Sequence, residues 1–474
     1  MKKLYFLATA FYLTGFMNAN SFNQKPITSK PAADNDIQVV SGKINKFLVA
    51  GSETAIRLTI KNVGTNNITS VEFNWNDGTG DHKEKITAYL NVGQQREITH
   101  PILTSYTDIA SKNITLTITK VNDNADSNPA DNNLTVTTSV VSQFLPKKVV
   151  FEEGTGTWCG WCPRGMVALD KVNEDYPNDQ ISIAVHNGDP MVLAAYNAGA
   201  AFAGYPGMNV DRELKGVDVS PNSIGNHVAT RKLIAAPAKL SGEYSIINNQ
   251  LTANVAAQFF IVNNNVNYRL AAVVVEDEVQ GTASGYRQSN YYAGGGNGPM
   301  GGFENLPATV PANQMIYNHV GRALLGGYAG QTGSIPTSVT DEQIVNYTFS
   351  YTVPAAYNQE KLSTVLLLLD ATDGTILNAV KLDKTALAVN NIKPNAANIT
   401  LYPNPAKSDF NLKLAADGTY NVVIFDVSGK MVKNYGVVKS NSKTINLPIN
   451  LTPGKYFVNI SQDGNSITKD LLVK

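Results

Sequence analysis

The only two cysteines in this 474-residue chain lie three positions apart, in the string Trp158-Cys159-Gly160-Trp161-Cys162-Pro163. A chain that relied on disulfides for stability would carry more cysteines, distributed over several loops. An apolar strand pattern precedes the pair and a helical pattern follows it. This C-x-x-C arrangement is typical of a redox-active pair, and it constrains the surrounding segment to a strand, a turn and a helix.

The first residues predict export from the cytoplasm. Residues 1–20 have the features of a signal peptide: two lysines, an apolar run over 4–17 and a small residue, Ala19, at a suitable cleavage point. Residues 21–36 form a polar lead-in. No later stretch approaches ~20 apolar residues, so we expect no membrane-spanning segment in the mature chain. We therefore expect a secreted or cell-surface protein, which passes through the periplasm to an outer-membrane-associated location.

The charge balance excludes one class of partner. Lysine plus arginine number 38 and aspartate plus glutamate also number 38, so the formal net charge at pH 7 is zero. A chain without a basic excess lacks the broad positive surface that nucleic acid requires, and we expect no nucleic-acid partner.

Strand patterns dominate the chain, so the expected fold class is multidomain and mostly β. Residues 37–143 alternate polar and apolar side chains between turn sequences, which predicts an N-terminal immunoglobulin-like β-sandwich. Residues 236–386 return to strands and predict a β-rich domain. Residues 387–398 are a predicted linker, and 399–474 a small C-terminal β-sandwich.

Residues 147–235 instead alternate strands and helices, which predicts a central α/β domain. The predicted elements, in order, are strand 148–153, helix 159–175, strand 181–185, helix 189–203, strand 208–210 and helix 220–234.

The chemistry of a C-x-x-C pair requires a thiolate near neutral pH. A free cysteine has a pKa of ~8.5, and unpaired amides at the start of a helix favour the anion. We expect Cys159 to be the attacking thiol. Cys162, one turn along, would resolve the mixed disulfide that forms at Cys159.

The string Trp-Cys-Gly-x-Cys after an apolar strand resembles the thioredoxin superfamily. The resemblance implies a buried acid six residues before the first cysteine, here Glu153, with a proton-transfer role. It also implies a cis-proline facing the disulfide, for which Pro206 is the candidate. Tyr205 and Pro206 would then bind an extended substrate, together with Trp158 and Trp161. The dipeptide Gly160-Trp161 departs from the Gly-Pro of thioredoxin, which leaves the direction of the reaction open.

A longer likeness covers about 147–386. The string Gly154 to Gly165, with Val275-Glu276-Asp277, Gly298 to Gly302 and His319 to Arg322, resembles the Omp-twenty-eight-related outer-membrane proteins. This resemblance implies a thioredoxin-like unit joined to a β unit on an exported protein. No cysteine follows the predicted signal, so lipid anchoring is not expected.

The C-terminal unit resembles the type IX secretion sorting domain. The likeness rests on Tyr402-Pro403-Asn404-Pro405, the hairpin 425–430, the string Leu451 to Tyr456 and the lysine that ends the final strand. It implies that the type IX secretion machinery is a partner and carries the chain across the outer membrane.

Two functions remain open. The first is a thiol–disulfide oxidoreductase, a reductase or isomerase whose partners are thiols and disulfides of exported proteins and peptides. The second is a non-catalytic surface binding or adhesion protein, in which the Cys159–Cys162 disulfide is structural. Neither requires a cofactor, and no second cysteine pair completes a metal site. His186 is either an acid–base group or, more commonly for such a position, a polar loop residue. Glu152 is expected to be solvated.

Overall fold

The computed structural model describes residues 34–385, 399–414, 417–462 and 465–474, with only the backbone of Asn465. The predicted signal peptide, most of the lead-in and the predicted linker lie outside these residues. The chain is multidomain and mostly β, and it divides into two compact units between Val141 and Ser142. Within the described ranges, no helix is long and apolar enough to cross a membrane.

The first unit consists of two sheets on a common core. Its strands are β1 Ile37–Lys43, β2 Phe47–Val49, β3 Arg57–Asn62, β4 Ile68–Asn76, β5 Asp81–Leu90, β6 Gln95–Thr99, β7 Ser111–Val121 and β8 Asn133–Val141. One sheet has the order β1-β3-β6 and the other the order β2-β8-β7-β4-β5. Buried residues of both sheets, such as Leu58 on β3 and Phe73 on β4, pack into one cluster. Alternating burial along β3 matches the alternation predicted for residues 37–143.

The second unit contains an eight-stranded mixed sheet. Its elements through residue 385 are β9 Val149–Thr155, α1 Pro163–Asp175, β10 Gln180–His186, α2 Ala194–Ala200, β11 Gly207–Val210, β12 Leu214–Lys215, α3 Ile224–Arg231, β13 Ala238–Ile247, β14 Gln250–Phe259, β15 Tyr268–Glu276, β16 Gln288–Ser289, β17 Thr309–Val310, β18 Val320–Leu325, β19 Ile344–Thr352, β20 Leu362–Asp370, β21 Ile376–Lys381 and β22 Asp383–Lys384. The sheet order is β12-β11-β9-β10-β18-β15-β20-β21. β10 runs parallel to both β9 and β18.

This sheet crosses the boundary predicted between 235 and 236. Ala184 on β10 is paired with Val320 on β18, and its amide donates a 2.7 Å hydrogen bond to the carbonyl of His319. Ile183 packs in the same cluster as Val273 and other residues of β15 and β20. The predicted α/β domain and β-rich domain therefore share one sheet and one core. Pairing between segments so far apart leaves no local sequence signal, so the periodicity of each segment suggested two domains.

The helices are shorter than predicted, for local reasons. α1 begins at Pro163, not Cys159, because proline is preferred in the first helical position. Asp189 does not cap α2. Its carboxylate instead accepts hydrogen bonds from the amides of Thr157 and Met191, and α2 begins at Ala194.

A second sheet of this unit has the order β19-β14-β13-β22. The C-terminal part has its own pair of sheets, β23-β24-β27 and β26-β25-β28-β29, with buried Phe410 and Val458 in one core. Its strands are β23 Thr400–Tyr402, β24 Asp409–Lys413, β25 Gly418–Asp426, β26 Met431–Ser440, β27 Thr444–Pro448, β28 Gly454–Gln462 and β29 Asn465–Val473.

Candidate functional site

The cysteine pair lies in the turn between β9 and α1. Cys159 and Cys162 form a disulfide, with their Cα atoms 5.3 Å apart. Cys162 is the last residue before α1, and its carbonyl accepts hydrogen bonds from the amides of Gly165 and Met166. Only 4% of Cys159 is exposed, and Cys162 is fully buried. Cys159 is therefore the more accessible of the two sulfur-bearing residues.

Glu153 on β9 lies beneath the first turn of α1. It is 1% exposed, and within the described part of the chain neither carboxylate oxygen has a hydrogen-bond partner of normal geometry. Gly165 leaves room for this group, since a Cβ there would overlap with Oε1. Burial raises the pKa of Glu153 to about 8, the Thr155 side chain offsets part of the rise, and the charge of Asp170 adds to it. The carboxyl group can therefore gain or lose a proton near neutral pH.

A small cavity of about 30 Å³ adjoins Glu153. It is lined by Glu153, Thr155, Met166, Leu169, Asp170, Ala184, His186, Ile316, Tyr317, Asn318 and His319. Its volume suits one water molecule, and its polar lining offers that water several partners. Burial raises the pKa of Asp170 and lowers the pKa of His319.

Tyr205 and Pro206 lead into the strand beside β9. The peptide bond between them is cis. β11 follows at once and pairs antiparallel with β9, with Gly207 opposite Gly154. The ring of Tyr205 meets the ring of Trp158 edge to face, at a centroid distance of 5.6 Å. The structure therefore places this dipeptide beside the turn that carries the cysteines.

Both tryptophans of the turn are partly exposed, Trp158 by 52% and Trp161 by 42%. The indole nitrogen of Trp158 donates a 2.7 Å hydrogen bond to the carbonyl of Asn187. Trp161 borders an open groove of about 850 Å³. The groove is lined by Trp161, Arg164, Ala201, Phe202, Ala203, Gly204, Tyr205, Pro206, Gly207, Asn209, Lys215, Gly216 and Val217. Three of the four predicted substrate-binding residues therefore line one surface.

The Gly- and Tyr-rich segment 281–303, which we call the cap segment, covers the cysteine turn. The side-chain amide of Gln288 donates a 2.9 Å hydrogen bond to the carbonyl of Cys159, and the amide of Tyr291 donates one of 2.9 Å to Gly160. A Cβ on Gly160 would lie 2.5 Å from the ring of Tyr291. Sequence reasoning did not assign this contact. The length and tyrosine content of the segment were its only signals.

His186 ends β10 and is buried against Asp189, with 2.7 Å between Nδ1 and Oδ2. The same carboxylate oxygen accepts a 3.0 Å hydrogen bond from the amide of Thr157. The histidine–aspartate pair thus ties the cysteine turn to the end of β10. His186 also lines the cavity beside Glu153, so it is a buried residue of the site and not a polar loop residue.

Glu152 is buried, and the expectation that it would be solvated was wrong. Its Oε1 accepts hydrogen bonds from Nε of Arg212 at 2.9 Å and from the hydroxyl of Tyr196 at 2.8 Å. β9 lies inside a sheet that is covered on both faces, so consecutive residues on it are all buried.

A family model described as a secretion system C-terminal sorting domain matches residues 400–474. The chain therefore carries a type IX secretion sorting domain. It is an exported protein, secreted or at the cell surface in association with the outer membrane. No curated protein matches the chain.

Three solved structures are similar to parts of the chain. HBP35 of Porphyromonas gingivalis is 17% identical, with a TM-score of 0.38, over 70% of this chain and 99% of that one. The CARDB domain of PF1109 from Pyrococcus furiosus is 18% identical, with a TM-score of 0.20, over 23% and 99%. A domain of the outer membrane lipoprotein Omp28 from Porphyromonas gingivalis is 11% identical, with a TM-score of 0.17, over 32% and 92%. These scores are too low to assign a function.

Proposed function

We propose that this exported protein is a thiol–disulfide oxidoreductase that acts on other exported proteins. The observation that carries the proposal is the buried carboxyl group of Glu153 beneath the helix that follows Cys162, which has no hydrogen-bond partner of normal geometry among the described residues. Burying a carboxyl group without hydrogen bonds destabilises a fold, and a purely structural disulfide has no use for one. A redox site, by contrast, needs a group that can accept the proton of the resolving thiol, and a buried carboxyl group can do so.

The reducing reaction proceeds in two exchanges. The Cys159 thiolate attacks a substrate disulfide, forming a mixed disulfide and releasing one substrate sulfur as a thiolate, which takes up a proton. Glu153 then accepts the proton of the Cys162 thiol, and the Cys162 thiolate attacks the sulfur of Cys159. This closes the Cys159–Cys162 disulfide and expels the second substrate sulfur as a thiolate, which takes up a proton as Glu153 gives up its own. Two electrons thus pass from the pair to the substrate. An external dithiol must then restore the reduced pair.

The pKa of Glu153 suits this proton transfer. A value of about 8 lies close to the ~8.5 of a free thiol, so the proton can move in either direction with little free-energy difference. Tyr205 and Pro206 would bind the substrate backbone, and the exposed rings of Trp158 and Trp161 would contribute apolar surface at the cysteine turn. Isomerisation follows when the substrate, and not Cys162, resolves the mixed disulfide.

The test incubates the full chain carrying Cys162→Ser with exported proteins extracted from a bacterial cell envelope. We expect mixed disulfides between Cys159 and these proteins, and a reductant should cleave them. The matched variant Cys159→Ser should trap far fewer, because Cys162 is fully buried. Equal trapping by both variants, or none by either, would reject the enzyme.

A second candidate is a non-catalytic binding protein with a structural disulfide. The observation that favours it is the low exposure of Cys159 beneath the cap segment, next to an open groove with exposed tryptophan. In that case the wild-type disulfide should resist a thioredoxin-strength dithiol, and removing both cysteines should lower stability without changing ligand binding.

A further inference from the structure

The groove beside the cysteine turn contains two cations without acidic partners. Arg164, in the first turn of α1, and Lys215, on β12, are the only charged side chains among the groove residues. In the described ranges neither forms a salt bridge, and Nε of Arg164 is buried without a hydrogen-bond partner. Lys215 is exposed at the edge of the eight-stranded sheet.

The acidic residues nearest to Lys215 in sequence are engaged elsewhere. Glu213 forms a 2.5 Å ion pair with Arg231. Asp218 accepts a 3.1 Å hydrogen bond from the hydroxyl of Ser223. Neither lines the groove, so its surface is positive although the whole chain is neutral. Positive charge on a docking surface selects negatively charged partners.

We propose that this groove selects substrate segments that carry acidic side chains beside the reacting cysteine. The inference rests on the proposed oxidoreductase function and specifies its substrate class. A carboxylate in the groove would form charge-assisted hydrogen bonds with the guanidinium of Arg164, which forms no salt bridge within the described ranges, and a second carboxylate would approach Lys215. Phe202 and Pro206 provide apolar surface for the rest of an extended peptide.

The experiment compares three peptides that share one disulfide and differ only in two flanking residues, which are glutamate, glutamine or lysine. The full chain reduces each peptide disulfide to two thiols and is itself oxidised to the Cys159–Cys162 disulfide, and dithiothreitol regenerates it. We expect kcat/KM to rise about threefold for each glutamate that replaces glutamine at low salt. The preference should shrink at high salt, where charges at the surface are screened.

Matched variants identify the groove as the source of the preference. Arg164→Gln and Lys215→Gln should each lower the ratio of kcat/KM for the glutamate peptide to kcat/KM for the glutamine peptide. Lys215→Glu should raise kcat/KM for the lysine peptide relative to the glutamate peptide. Lys239→Gln, on an exposed position of β13 outside the groove, should leave the ratio unchanged. Because the ratio compares peptides on one enzyme, a change in thiolate reactivity cancels.

The outcomes separate this inference from the function on which it rests. If all three peptides are reduced equally, or the lysine peptide is preferred, the acidic specificity is wrong and the oxidoreductase stands. A preference that survives Arg164→Gln and Lys215→Gln together would also overturn it. If no peptide is reduced, the proposed function itself fails.

Discussion

Replacing Glu153 by glutamine should stabilise the protein at alkaline pH and change little in acid. The pKa of the buried carboxyl group is about 8 in the folded protein, against 4.5 for the solvated group. Between these values the unfolded chain binds fewer protons than the folded one, so the free energy of unfolding falls as the pH rises. At ~1.4 kcal/mol per pH unit, the free energy of unfolding lost relative to acid pH is ~3 kcal/mol at pH 7 and approaches ~5 kcal/mol above pH 8. Glutamine is uncharged at every pH, so the Glu153→Gln variant does not lose this stability.

The measurement is guanidinium unfolding of the full chain at pH 5 and at pH 8.5, for wild type and Glu153→Gln. Trp158 and Trp161 are two of the three tryptophans, so fluorescence reports mainly on the unit that contains the site. Glu174→Gln, an exposed position on α1, is the control and should behave like wild type at both pH values. A stability difference between wild type and Glu153→Gln that is the same at both pH values would refute the buried, neutral carboxyl group.

Three further substitutions test the packing around the site. Gly165→Ala should lower the free energy of unfolding by ~2 kcal/mol, despite a helix-propensity gain of ~1 kcal/mol, because its methyl group would overlap with the carboxyl group of Glu153. Adding Glu153→Ala to this variant should restore most of the lost stability. An unchanged stability of Gly165→Ala would contradict the close approach of the two residues. Tyr291→Ala should speed alkylation of reduced Cys159 severalfold, measured by mass spectrometry, because it removes the ring over the cysteine turn; an unchanged rate would show that the ring does not limit access. Arg212→Leu should destabilise by ~3–5 kcal/mol in denaturant unfolding, since it leaves a buried carboxylate unpaired; a loss below ~1 kcal/mol would contradict a buried ion pair.

The parts of the fold that were predictable are those encoded within a few residues. The apolar run before the cysteines predicted β9, and the run 181–185 predicted β10, because each is buried on both faces. The start of the helix after the cysteines was predicted four residues too early, because the apolar spacing does not show that Pro163 is the preferred first helical residue. The pairing of β10 with β18 was not predictable, because nothing near either strand specifies so distant a partner.

The residues of the candidate site also fall into those that were predictable from the sequence and those that were not. Residues found by fixed spacing from the cysteines, such as Glu153, lie where a strand–turn–helix places them. Gln288 and Tyr291 contact the cysteine turn from more than a hundred residues away, and their sequence is typical of any flexible loop. Glu152 was misjudged because alternation along a strand distinguishes buried from solvated positions only where one face of the sheet meets water.

The sheet that spans residue 235 limits how the cysteine pair and its surroundings can be moved to another protein. A fragment ending there would keep β9 and β10 but lose β18, leaving the unpaired backbone of β10 open to pair with other chains and aggregate. It would also lose the cap segment and most of the buried hydrophobic residues that share a cluster with β10. Moving the cysteine turn to another exported scaffold therefore means moving the whole stretch from β9 to β21 as one piece.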